Sequence, residues 1–322
     1  MCPIKKKEMV NLNIKFCGVE FANPTVLASG ILGVTASSLK NVIRNGAGGV
    51  TTKSIWLEEH KGHRNPTMFG TENYFINAVG LSDAGIEKAV TETFPEYNDG
   101  KPAPIIANIV AAKIEDFGLL AEQISQCNPD IIEVNISCPN VEDELGKPFA
   151  CVSGDAAKVT SVVKKALGGL TGGEKNIPII IKLSPNVANI GEIAKACVEA
   201  GADGFCAVNT FGPGLVVDIN TRLPILANKV GGISGPGIKP LAVKCVYDVF
   251  KATGKPIVGT GGVMTGEDVI EMMMVGARLV GIGTMVYYRG AEGFRKIVSE
   301  INEWCEKNGV KNLEEIIGTV KL

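Results

Sequence analysis

The sequence predicts an α/β chain closed into a (β/α)8 TIM barrel behind a short N-terminal β-hairpin. Three observations carry that expectation. Apolar strand-like runs recur eight times, and helix-period segments separate most of them. The runs are apolar on both faces rather than alternating, as parallel strands covered on both sides are. The chain has 322 residues, the size of one such barrel, so residues 1–322 are expected to form a single domain. A doubly wound open sheet is the competing architecture. It usually carries an early Gly-x-Gly-x-x-Gly, which is missing after the first strand run.

Taken in order, 11-NLNIKFCGVEF-21 alternates well enough for the hairpin. The barrel runs are 24-PTVLASG-30, 48-GGVTTKSI-55, 104-PIIANIV-110, 131-IIEVNISC-138, 178-PIIIKLS-184, 204-GFCAVNT-210, 256-PIVGTGG-262 and 279-LVGIGT-284. In the fourth, β-branched residues favour a strand and Pro139 ends it, since proline cannot donate to a ladder. Helix-period segments include 116-DFGLLAEQISQC-127, 155-DAAKVTSVVKKAL-167, 189-NIGEIAKACVEAG-201, 239-KPLAVKCVYDVFKATG-254 and 266-GEDVIEMMMVG-276, several of which stop at glycine. Two connections are long, from about Trp56 to Asp83 and from Pro139 to Val152. Both leave C-terminal strand ends, where barrel active sites lie, and are expected to be structureless lids or binding loops.

Composition excludes several classes. The charge balance of 32 basic against 34 acidic side chains leaves no basic field for a nucleic acid. No apolar run is long enough to span a bilayer, and Lys5 to Glu8 interrupt any signal-peptide core, so a cytoplasmic protein is expected. Nine cysteines never fall as Cys-x-x-Cys, and His60 and His63 are the only histidines. A resident zinc or iron–sulfur site is therefore not expected, and a histidine-based triad has little to draw on.

The strand ends collect Ser29-Gly30, Lys53-Ser54, Asn108, Asn135 with Cys138, Lys182, Asn209-Thr210, Gly261-Gly262 and Gly283-Thr284. A single asparagine or serine in such a place fits a turn former equally well. Two lysines, three asparagines and a thiol converging on one mouth fit a binding site better, because lysine is costly to bury unpartnered. The turns 259-GTGG-262 and 281-GIGT-284 follow strands seven and eight, where barrels bind phosphate on backbone N–H groups. The run 231-GGISGPGIKP-240 is expected to add exposed backbone on the same side. Lys182 suits either a Schiff-base lysine or a fixed cation beside a cofactor that gains negative charge. Cys138 tips this toward the second, since a thiol beside a phosphate-bearing ligand suits proton abstraction next to a carbonyl, although a small apolar filler is the bland alternative.

These residues resemble the soluble class of dihydroorotate dehydrogenases. The shared segments, in order, are 28-ASG-30, 52-TKS-54, 77-NAVGL-81, 107-AN-108, 133-EVNISCPN-140, 182-KLSPN-186, 208-VNT-210, 226-LANKVGGISGPGIKP-240, 259-GTGG-262 and 283-GT-284. The resemblance spans nearly the whole chain. It implies FMN on Ser29, Lys53, Ser54, Asn108, Asn135, Lys182, Val208 and Gly235, with its phosphate on Gly261, Gly262, Gly283 and Thr284. It implies dihydroorotate on Lys53, Asn77, Ala78, Val79, Gly80, Leu81, Asn135, Asn209 and Thr210. Cys138 would take the C5 proton, the C6 hydride would pass to FMN, and the 139–152 loop would close over the substrate. The membrane-bound class has serine at the Cys138 position and an N-terminal helical extension, and this sequence shows neither. Of the two soluble branches, 224-PILANKVGGISGPGIKP-240 is more similar to the one that pairs with an FAD and iron–sulfur subunit and reduces NAD, as a heterotetramer, than to the fumarate-reducing homodimer. The loop 64-RNPTMFGTENYF-75 departs from the usual Asn-Pro-x-Pro-Arg form, and Val79 stands where a larger aliphatic residue is common. Competing expectations are a dihydropyrimidine dehydrogenase-like barrel acting on uracil or thymine, a flavin-free aldolase or isomerase using Lys182, and a non-catalytic binding module.

Overall fold

The computed structural model describes residues 10–137, 148–169 and 176–321. Strands β1 (Ile14–Phe16) and β2 (Val19–Phe21) pair antiparallel as the expected hairpin. Eight parallel strands then close a barrel: β3 (Thr25–Leu27), β4 (Gly49–Thr51), β7 (Ile105–Ile109), β8 (Ile131–Asn135), β9 (Ile179–Leu183), β10 (Gly204–Ala207), β15 (Ile257–Thr260) and β16 (Leu279–Ile282). Each of the eight expected runs contains one of them.

Every residue of β7, β8 and β9 is buried. One face of each strand fills the barrel and the other meets the helices, so the isoleucine-rich runs are apolar on both sides. Burying one such side chain stabilises the fold by about 1.5–3 kcal/mol. The outer layer includes Ile114–Ser125, Ser153–Gly169, Ile190–Glu199, Lys239–Thr253 and Gly266–Met274, each overlapping an expected helix. Local chemistry sets their ends. Asn189 caps Ile190–Glu199 through the Glu192 N–H, Thr265 and Asp268 form a reciprocal capping box, and Gly254 closes Lys239–Thr253 in the left-handed conformation. The helices Ala36–Arg44, Met285–Arg289 and Gly293–Asn308 and the helical segment from Ile86 to Asn98 add to the layer.

Two expectations are corrected. The Trp56–Asp83 connection is not structureless: it carries β5 (Met68–Gly70) and β6 (Phe75–Asn77). These join β11 (Phe211–Leu215) and β14 (Val230–Ser234) in a four-stranded antiparallel sheet ordered β11-β14-β6-β5. The run after Gly231 does not offer exposed backbone throughout, because Gly231 and Gly232 are buried in β14, hydrogen-bonded to strands on both sides. Cys138, Pro139 and most of the 139–152 loop lie outside the described residues; Phe149–Cys151 forms a 3-10 turn.

Candidate active site

Neighbours in a parallel ladder point to the same face of the sheet. Asn108 sits opposite Glu133, Asn135 opposite Lys182, and Lys182 opposite Cys206. These side chains therefore share the barrel interior near the C-terminal ends of their strands. Asn108, Asn135 and Lys182 are all buried. Asn135 donates to Ser54 Oγ at 3.3 Å, and the Asn209 side chain donates to the Ser137 carbonyl and hydroxyl, each at 3.0 Å. One network thus ties together the ends of β4, β8 and β10. Ser137 was not singled out by the sequence; its place inside the NISCPN run, two residues after Asn135, was the available signal.

Lys53 follows β4, and its Nζ donates to Ser82 Oγ at 2.8 Å. Burial pulls the Lys53 ammonium below its usual range, while the nearby Asp83 carboxylate works the other way. Burial raises the Asp83 carboxyl, against hydrogen bonds from the Gly85 and Trp56 N–H groups. Ser82 and Asp83 hold Lys53 from the far end of a 29-residue separation, so no local pattern announces them.

The antiparallel sheet brings Asn77 to Leu81 into register with the rest. Asn77 pairs with Gly232. A Cβ on Gly232 would lie 2.1 Å from Thr210 Oγ1, so Thr210 packs against β14 at this position only because it lacks a side chain. The following segment is pinned through its backbone: Ala78 donates to the Thr67 carbonyl at 2.8 Å, the Val79 carbonyl accepts from His63 at 3.0 Å, and the Leu81 carbonyl accepts from Trp56 Nε1 at 3.1 Å. Gly80 and Leu81 both have positive φ, 72° and 53°.

At the glycine-rich edge, Gly261 and Gly262 follow β15 with φ of 137° and 77°. A Cβ on Gly262 would meet Lys239 at 2.6 Å. Lys239 is itself fixed by Asp268 at 2.6 Å and Glu271 at 2.7 Å. Gly283 and Thr284 follow β16; Thr284 Oγ1 and Ser234 Oγ lie 2.9 Å apart, next to Gly235. Val208, buried, donates its N–H to the Thr260 carbonyl at 2.8 Å. The sequence-expected residues from Ser29 to Thr284 therefore follow or end the barrel strands, or stand on the adjoining sheet. Cys138 lies outside the described residues.

The closed barrel with a polar mouth at its C-terminal face places the chain among (β/α)8-barrel enzymes. Among solved structures, a crystal structure of DHODH in complex with ferulenol from Eimeria tenella shares the fold, with a TM-score of 0.81 over 98% of this chain and 90% of that one, at 22% identity. A family model described as dihydroorotate dehydrogenase matches residues 11–305, and the chain belongs to that family. A relative from Methanocaldococcus jannaschii is 42% identical over 309 residues, covering 95% of this chain and 97% of its own. One from Methanothermobacter thermautotrophicus is 40% identical over 307 residues, covering 95% and 97%. Both are named dihydroorotate dehydrogenase B (NAD(+)), catalytic subunit, the branch that the sequence resembles.

FMN is the cofactor of this family, and the mouth fits it. Ser29 Oγ and Asn108 Oδ1 are buried with no hydrogen-bond partner among the described residues. Such orphaned acceptors are costly unless a ligand satisfies them. The Gly261-Gly262 turn, packed against Ala242 and Lys239 too closely for side chains, leaves backbone N–H groups of the kind that suit a phosphate.

Proposed function

We propose that the chain is the catalytic subunit of an FMN-dependent enzyme that oxidises (S)-dihydroorotate to orotate in pyrimidine biosynthesis. The observation that carries this reading is the convergence of Lys53, Asn135 and Asn209, with Asn77 of the adjoining sheet and Thr210 packed against that sheet's Gly232, around a mouth that holds a buried lysine. The asparagines offer donors and acceptors to the pyrimidine amides. Lys53 offers a cation to the substrate carboxylate, and Ser82 fixes its direction. Cys138 removes the C5 proton as general base. FMN, when bound, supplies the acceptor for the C6 hydride. Lys182 would offer its ammonium to the bound cofactor and favour the negative charge that reduction brings. Ser29, Ser54, Asn108, Val208 and Gly235 would also hold the cofactor, with its phosphate on Gly261, Gly262, Gly283 and Thr284.

We further propose that electrons leave toward NAD through a partner subunit that carries FAD and an iron–sulfur cluster, the chain assembling as a homodimer or a heterotetramer. The names of the relatives support the acceptor and the existence of a partner: each is a catalytic subunit, and NAD(+) is the acceptor named. The working site is proposed to lie in the cytoplasm; among the described residues no helix is long and apolar enough to cross a membrane.

A dye-linked assay of the purified chain tests the reaction. Dihydroorotate should reduce the dye and dihydrouracil should not. Turnover of dihydrouracil alone would assign the chain to the pyrimidine-base reductases instead.

A further inference from the structure

Glu133 and Lys182 are the only charged side chains among the described residues that are buried, at 2% and 6% exposure. Lys182 belongs to the proposed flavin site; Glu133 has no role there. It sits mid-strand in β8, one interior layer below Asn135. Its Oε1 accepts from Asn108 Nδ2 at 2.5 Å and faces Lys182 Nζ at 3.4 Å. Among the described residues, strands β7, β9 and β10 carry no other acidic side chain. Cys206 of β10 lies beside Lys182, and burial first, then the Glu133 carboxylate, pushes its thiol far above the usual range, so it stays neutral. Thr260 of β15 contacts the Cys206 sulfur at 3.7 Å and does not titrate.

An ammonium in so dry a place loses its proton readily unless a fixed anion faces it. Asn108 prevents the carboxylate from turning away, since its amide grips the same oxygen that faces Lys182. We propose that Glu133 is a positioning residue that keeps the Lys182 ammonium charged beneath the flavin mouth, so that two-electron reduction of the bound flavin draws one proton from solvent rather than two. This rests on the reading of Lys182 as a flavin contact. With Glu133 in place, the ring takes two electrons and one proton, and the standing ammonium balances the remaining negative charge. Without it, Lys182 loses the carboxylate that faces it at 3.4 Å, is less protonated beside the oxidised ring and takes up a second proton as the ring becomes negative. The electrons come from dihydroorotate or, in the test, from a reducing dye.

The test is the flavin midpoint potential of the FMN-loaded chain at several pH values between about 7 and 9, below the ordinary lysine range. One proton per two electrons changes the equilibrium tenfold per pH unit, about 30 mV; two protons change it a hundredfold, about 59 mV. Wild type should show the shallow slope, Glu133→Gln the steep one, and Glu133→Asp the shallow one. A purely structural role for Glu133 would leave the slope unchanged in every folded variant. A steep wild-type slope overturns the proposal even if Glu133→Gln does not fold, as does a shallow slope in Glu133→Gln. A wild-type chain that holds no flavin overturns the functional reading and this proposal together. A yellow wild type with the wrong slope overturns this proposal alone.

Discussion

Replacing Gly232 with alanine tests whether the antiparallel sheet sets the substrate geometry. The added methyl would lie 2.7 Å from Thr210 Cβ and 2.1 Å from Thr210 Oγ1. A rotamer change can move the hydroxyl, but Cβ is fixed to the backbone. Ordinary contact begins near 3.4 Å, so β14 and the Asn209–Thr210 turn must separate by about 0.7 Å, the difference from 2.7 Å. Gly232 pairs with Asn77, so the shift reaches both edges of the proposed substrate pocket. A displacement approaching 1 Å at reacting groups costs up to about a hundredfold in rate, or about 2.7 kcal/mol in transition-state stabilisation. The expected result is a ten- to hundredfold fall in kcat/KM for dihydroorotate by these same estimates. Flavin content, read from visible absorbance, should stay near wild type because Gly261-Gly262 and Gly283-Thr284 are untouched. Wild-type kcat/KM in Gly232→Ala, with the protein folded, would refute the assignment of Asn77 and Thr210 to the substrate.

Cys138→Ser should retain FMN and the fold but lose dihydroorotate oxidation severely at neutral pH. Wild-type activity should rise with pH toward the ordinary thiol value of about 8.5; steady-state rates across pH check both. Lys182→Met leaves Glu133 buried without its counter-charge and should cost about 3–5 kcal/mol, whereas Glu133→Leu with Lys182→Met should recover much of that loss in urea unfolding of the apoprotein. Asp268→Asn weakens the brace behind Gly262. Burial raises the Asp268 carboxyl, but the Lys239 ammonium and the Met264 and Thr265 N–H groups outweigh it and hold it below its usual range. A carboxyl depressed in the folded state contributes stability above its unfolded value and loses it as pH falls through the folded one. Asp268→Asn should therefore cost about 1–2 kcal/mol at neutral pH, and the gap should close in acid; a gap of constant width at all pH values counts against the mechanism.

The barrel was legible because its strands are buried on both faces, so β-branched runs such as Ile105–Ile109 and Ile179–Leu183 stand out without any partner. The strand-end polar residues were legible for the complementary reason, since Lys53, Asn135 and Lys182 interrupt or terminate apolar runs. The antiparallel sheet was not. Its strands include Met68–Gly70 and Phe211–Leu215, short and rich in glycine with one proline, and such residues carry little strand signal of their own. The sheet is joined across the chain by β6 and β14, where Asn77 pairs with Gly232, 155 positions later, and packing rather than local preference settles it. Glu133 was read only as part of a strand. An acidic residue inside an apolar run is a local signal, but its meaning depends on Lys182, 49 residues later.

The central claim is that this barrel mouth binds FMN and reduces it with dihydroorotate. The most direct measurement is anaerobic mixing of the purified, flavin-loaded chain with dihydroorotate while following the flavin's visible absorbance. Wild type should bleach rapidly, and Cys138→Ser much more slowly at neutral pH. A flavin that stays oxidised in wild type with saturating dihydroorotate, or that bleaches only with dihydrouracil, would contradict that claim.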